Sequence, residues 1–129
     1  MKNQVTLIGY VGSEPETRAY PSGDLVTSIS LATSEKWRDR QSNELKEHTE
    51  WHRVVFRDRG GFKLGLRAKD LIQKGAKLFV QGPQRTRSWE KDGIKHRLTE
   101  VATAFKSGSV KEPSKSYRNN AQLSIHFTA

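Results

Sequence analysis

Apolar and polar positions alternate along much of the chain with the period of two that belongs to strands. The opening run Val5-Thr6-Leu7-Ile8-Gly9-Tyr10-Val11-Gly12 is β-branched and apolar, and predicts a buried strand closed by glycine. Ser13-Glu14-Pro15 turns the chain, Thr17 to Tyr20 predicts a short strand, and Pro21-Ser22-Gly23-Asp24 turns it again. From Leu25 to Thr33, Leu25, Thr27, Ile29 and Leu31 share one face and Val26, Ser28, Ser30 and Ala32 the other. The small residues of the second face predict close packing there. Ser34 to Lys46 is polar and charged and reads as a long exposed loop or hairpin arm, before His48 to Arg57 returns as a strand.

Arg57-Asp58-Arg59-Gly60-Gly61 breaks that strand, and the period then changes. Leu64, Ala68, Leu71 and Ile72 fall at i, i+4, i+7 and i+8, one side of a short helix that Lys74-Gly75 is expected to end. Lys77 to Trp89 predicts a long strand bent at Gly82-Pro83, because proline cannot donate to a ladder. Asp92-Gly93 is a hairpin signal for a type I′ turn, and His96 to Phe105 returns as the last strand. Five strands with one helix between the third and the fourth make an all-β plan, that of the OB-fold barrel.

Beyond Lys106-Ser107-Gly108 the composition shifts to Ser, Lys, Asn and Pro. Residues 1–108 are therefore expected to form the domain, and residues 109–129 a basic, flexible tail. A length of 129 residues suits one domain with a sizeable core. No apolar stretch is long enough to cross a membrane, and the N-terminal residues carry no signal-peptide pattern, so the protein is expected to stay in the compartment where it is made. The chain has no cysteine, which excludes disulfides, a thiolate nucleophile and Cys-based zinc sites and fits a reducing cytoplasm.

Charge changes the picture. The formal net charge of +9 favours a polyanionic partner, and its placement favours a particular kind. Along the third strand Trp51, Arg53, Val55 and Arg57 share a face, opposite His52, Val54 and Phe56. Along the fourth, Arg85, Arg87 and Trp89 share a face, and Trp37 lies between Lys36 and Arg38 in the arm. Tryptophan in a strand is more often core than surface. Burying unpaired guanidinium groups costs several kcal/mol, however, so these faces are expected to meet solvent with their tryptophans open. Indoles set among arginines suit a flexible single strand, whose bases stack on the rings while its phosphates meet the cations, without regard to base identity.

At these residues the chain resembles the bacterial single-stranded DNA-binding proteins. The matching runs are Leu31-Ala32-Thr33-Ser34-Glu35-Lys36-Trp37-Arg38-Asp39, Thr49-Glu50-Trp51-His52-Arg53-Val54-Val55, Lys74-Gly75, and Gly82 before Arg85-Thr86-Arg87-Ser88-Trp89. The likeness runs in order over about residues 1 to 108. It implies an OB-fold homotetramer that single-stranded DNA wraps during replication, recombination or repair, in the cytoplasm and on the bacterial nucleoid. By the same resemblance Trp37, Trp51 and Trp89 match base-stacking tryptophans, and Arg40, Arg53, Lys74, Arg85 and Arg87 match phosphate-facing cations. His52 matches a subunit contact. Arg57 stands where the family has a stacking phenylalanine, and its guanidinium plane could stack in that ring's place. The acidic C-terminal tip by which the family recruits enzymes has no match, since nothing after Glu112 is acidic.

Other functions are less well supported by the residues. Metal-dependent nucleases need clustered carboxylates, and here the acids are scattered apart from Glu44 and Glu47. His48 and His52 lie in a strand with no third ligand, and no nucleophile elbow or phosphate loop is present. No catalysis, metal or cofactor is therefore expected. An RNA-binding or primosome-type OB module is the alternative, since no residue pattern reveals a contact to a 2′-hydroxyl. A purely structural oligomer is the third class.

Overall fold

The computed structural model describes residues 1–103, so the boundary expected at residue 108 and the basic tail expected over 109–129 lie outside the described residues. Nine elements follow one another: β1 (Val5–Val11), β2 (Glu16–Ala19), β3 (Leu25–Arg38), β4 (Leu45–Arg59), β5 (Phe62–Lys63), α1 (Leu64–Leu71), β6 (Lys77–Gly82), β7 (Gln84–Lys91) and β8 (Ile94–Thr103). The five expected strands are β1, β3, β4, the bent pair β6 and β7, and β8. The short β2 pairs with β3, and β5 adds two residues beside β4.

The sheet runs in the order β6-β1-β3-β4-β8-β7. Its two ends are consecutive in the chain, separated only by Pro83, so the path curls back on itself. Ala102 N–H donates to the Pro83 carbonyl at 2.9 Å and draws β8 against the bend. All pairings are antiparallel except β4 with β8, which is parallel. This is the OB-fold barrel with its helix between the third and fourth strands.

The inward positions close the barrel. Leu7, Val11, Ile29, Leu31, Val54, Phe56, Leu78, Val80 and Val101 form one buried cluster, and Leu64, Ala68 and Ile72 from the helix end plug it. Thr27 is buried among them with its hydroxyl satisfied, donating to the Gly65 carbonyl at 2.7 Å. Gly65 has no room for a β-carbon, which would strike the Leu25 carbonyl. Asp58 anchors this corner. Its Oδ2 accepts from Leu25 N–H at 2.9 Å and its Oδ1 from Leu66 N–H at 3.1 Å, capping a first-turn donor that Lys63 leaves free.

The helix departs from expectation in two ways. Leu71 is exposed, and the helix stops there, because Ile72 turns to extended geometry (ψ 130°) and drops its side chain into the core. Gly75 therefore ends no helix. It makes the next turn, at φ +87°, and its N–H donates to the Val11 carbonyl at 2.8 Å. The Asp92-Gly93 turn is as expected, with positive φ at both residues and Lys91 paired to Ile94. The polar arm is a paired ladder extending to Arg38 opposite Leu45, with both faces open to solvent.

Candidate functional site

Strand register assembles one wall. Directly paired residues point to the same face of a sheet. On β3 and β4, Ala32 pairs with Trp51, Ser30 with Arg53, Ser28 with Val55 and Val26 with Arg57. Val55 pairs with Ala102 of β8, and across the last hairpin Glu100 pairs with Arg85, Leu98 with Arg87 and His96 with Trp89. The outer faces of β3, β4, β8 and β7 are thus continuous and hold Trp51, Arg53, Arg57, Arg85, Arg87 and Trp89 together. Small side chains on β3 leave room for this traffic, and Arg53 Nη2 donates to Ser28 Oγ at 3.3 Å.

The tryptophans are open to solvent. Trp51 is 59% exposed, Trp37 46% and Trp89 39%. Each has a different setting. The benzo edge of Trp51 lies over Gly12, where a β-carbon would collide with it. Trp89 stacks on His96 at 5.4 Å, and the Arg87 guanidinium carbon lies 4.8 Å from its ring centre, a cation–π distance. Trp37 pairs with Lys46 on the arm and lies on the opposite side of the pleat from Trp51. It is therefore apart from the wall that carries the other two.

Two expectations need correction. Val55 is expected on an open face but is buried, among the residues that line a pocket of about 340 Å³ together with Tyr20, Arg53 and Arg57. Nor are the arginines unpaired. Glu100, 3% exposed on β8, takes Arg57 Nη2 at 3.0 Å and Arg87 Nε at 3.5 Å on Oε1, with Arg53 Nε 3.5 Å from Oε2. Burial works against the Arg57 cation. Hydrogen bonds with Tyr20 and Glu100 outweigh it and hold that guanidinium above its ordinary value, so it stays charged throughout the working range. Arg85, by contrast, has no acidic partner among the described residues.

Arg40 is exposed at the arm tip and Lys74 in the turn after α1; neither is joined to the wall by an ion pair among the described residues. His52 points away from Trp51, half-buried, with Nε2 2.8 Å from Thr33 Oγ1. His48 is 2.8 Å from Glu50, whose carboxyl the hydrogen bond and the positive charge of His48 hold below its ordinary value. His48 and His52 are four strand residues apart, or about 13 Å, too far to share an ion. No group of three or more His, Asp or Glu placed to hold a metal occurs among the described residues. Among them, too, no helix is long and apolar enough to cross a membrane.

Glu100, Tyr20, Gly12 and His96 were missed by sequence reasoning. A signal existed for two. A two-residue Asp92-Gly93 turn fixes the register of the hairpin, which sets Glu100 opposite Arg85 and His96 opposite Trp89.

Comparison with known proteins agrees with this architecture. The model of the "Single-strand binding protein family" matches residues 2–107. The Plasmodium falciparum single-strand binding protein, solved in complex with single-stranded DNA, is 37% identical, with a TM-score of 0.71 over 84% of this chain and 92% of that one. A deletion variant of the single-stranded DNA binding protein from Thermus aquaticus is 34% identical, with a TM-score of 0.63 over 78% of this chain and 47% of that one. The five-stranded plan, the wall of indoles and guanidiniums, and a family match over most of the sequence agree: the chain belongs to the single-strand binding protein family.

Proposed function

We propose that the protein binds single-stranded DNA without reading its base sequence and protects it during replication, recombination or repair. The observation that carries this is the continuous wall on which exposed Trp51 and Trp89 lie among Arg53, Arg57, Arg85 and Arg87. Stacking contributes about 1–3 kcal/mol per base and needs an unpaired base, whose ring faces a duplex hides. The cations supply the part of the affinity that depends on salt. Trp37 and Arg40 on the arm, and Lys74 beyond the helix, extend the path of the strand past the wall. The role is binding, not catalysis.

The working form is a homo-oligomer, a tetramer by family likeness. Support comes from β1, whose outward face carries Ile8 and Tyr10 open to solvent, an apolar stripe suited to a second copy. His52 belongs to a subunit contact in this reading. The place of action is the cytoplasm, on the nucleoid. The RNA or primosome-type reading is not favoured, because the relatives that the chain matches are described as binding single-stranded DNA. Competition between DNA and RNA oligonucleotides of one sequence tests the choice, and RNA displacing DNA at equal concentration would overturn it. Native mass measurement of the complex tests the tetramer.

A further inference from the structure

A carboxylate in the middle of a phosphate-binding surface opposes the contacts that surface makes. Glu100 is such a group. Its side chain is 3% exposed while those of Arg53, Arg57 and Arg87 are 40%, 29% and 49% exposed. Oε1 serves Arg57 and Arg87, whereas Oε2 is buried with no hydrogen bond and only the longer approach of Arg53 Nε at 3.5 Å. Glu100 lies on the outer face of β8, opposite Arg85, and is covered beneath these more exposed arginines. Their guanidiniums, on longer stems, can reach further from the sheet than its carboxylate.

We propose that Glu100 competes with DNA phosphate for Arg53, Arg57 and Arg87. This rests on the reading above, in which those arginines face phosphates. Carboxylate and phosphate offer the same geometry to the guanidinium fork, so an N–H edge committed to one is closed to the other. In the free protein Glu100 gathers three like charges into one cluster and orients them over the pocket that Tyr20 walls. On binding, the arginines turn outward to the strand and the carboxylate gives up part of their company. Glu100 is thus a positioning residue that also weakens the grip, leaving fewer phosphates neutralised than the arginines alone would allow. A strand held this way is easier to release and exchange.

Glu100→Gln keeps the volume and one acceptor oxygen but removes the charge. Binding of oligo-dT is measured against salt for the wild type, Glu100→Gln and Arg53→Gln. The inference predicts a slope of log K on log[salt] steeper by up to about 0.7 in Glu100→Gln, tightening binding roughly fivefold at 0.1 M salt. A structural role alone would change the melting temperature and leave the slope where it was. A folded Glu100→Gln with an unchanged slope, or with weaker binding, overturns the inference. Arg53→Gln separates the two ideas: if it leaves the slope unchanged, the phosphate-facing reading itself fails. Should Glu100→Gln not fold, the ¹³C resonance of the Glu100 carboxyl in the wild-type protein decides. It moves when oligo-dT is added if the arginines leave it, and its standing still at saturation overturns the inference.

Discussion

Gly12 lies beneath the benzo edge of the Trp51 ring, so close that a β-carbon there would penetrate it. The last residue before the first turn thus props the most exposed tryptophan of the wall. Gly12→Ala is expected to displace the ring and to weaken oligo-dT binding by about 1–3 kcal/mol, the contribution of one stacked base. Fluorescence titration of the variant measures it, and full affinity would show that the ring position does not matter.

The tryptophans are predicted to differ. Trp51→Ala gives up a stacking platform that Arg53 does not cover. At Trp89 the DNA must displace an existing Arg87 contact, a cation–π interaction of about 0.5–1 kcal/mol at an exposed site. Trp89→Ala should therefore cost less than Trp51→Ala, as calorimetry at fixed salt would reveal. Equal losses would mean that Arg87 does not occupy the Trp89 ring in solution.

Arg85 lies on the wall, paired in register with Glu100, and makes no ion pair among the described residues. Arg85→Gln is predicted to flatten the salt dependence by about 0.7 in slope, one phosphate contact, whatever the base composition of the oligonucleotide. A slope equal to that of the wild type would place Arg85 off the path.

Much of this was legible in the sequence, for physical reasons that also set its limits. Alternation placed Trp51 with Arg53, and Arg87 with Trp89, because pleat parity is local and needs no knowledge of neighbours. The indoles are open as expected, although the cost of burying unpaired charge accounts for this only in part, since Arg53, Arg57 and Arg87 are paired on Glu100. Parity could not show that Val55 would be buried on that face, nor that Arg57 would find Glu100. That pair spans the parallel junction of β4 with β8, whose register no turn fixes. Leu71 failed for a different reason. Helical spacing put it on the buried side, but the helix yields to the pull of Ile72 into the core and ends too soon to bury both.

The arm tip is predicted to loosen in acid. The Asp39 carboxyl is held below its ordinary value of 3.8, first by the Gln41 N–H and then by the Lys46 ammonium and the Ser42 hydroxyl. A carboxyl lowered in the folded state contributes fully above its unfolded value, here about pH 4, and its contribution drains as pH falls through the lower folded value. Amide shifts of residues 39–46 should follow that titration, and Asp39→Asn should abolish it. An arm insensitive to pH in the wild type would contradict the tether.

Asp58 joins β4 to both the start of β3 and the first turn of α1. Asp58→Ala orphans the Leu25 and Leu66 N–H groups and is expected to cost about 1–3 kcal/mol of stability, measured by denaturant unfolding. A loss below a few tenths of a kcal/mol would mean that water replaces the carboxylate at no cost.

If bases of a single strand stack on the open indoles of the wall, the emission of those indoles must change when the strand binds. Adding oligo-dT should quench tryptophan emission to saturation, with Trp51→Ala removing a share of the quench and matched duplex failing to compete. Emission unmoved while the oligonucleotide is demonstrably bound, or duplex competing as well as single strand, would contradict the account.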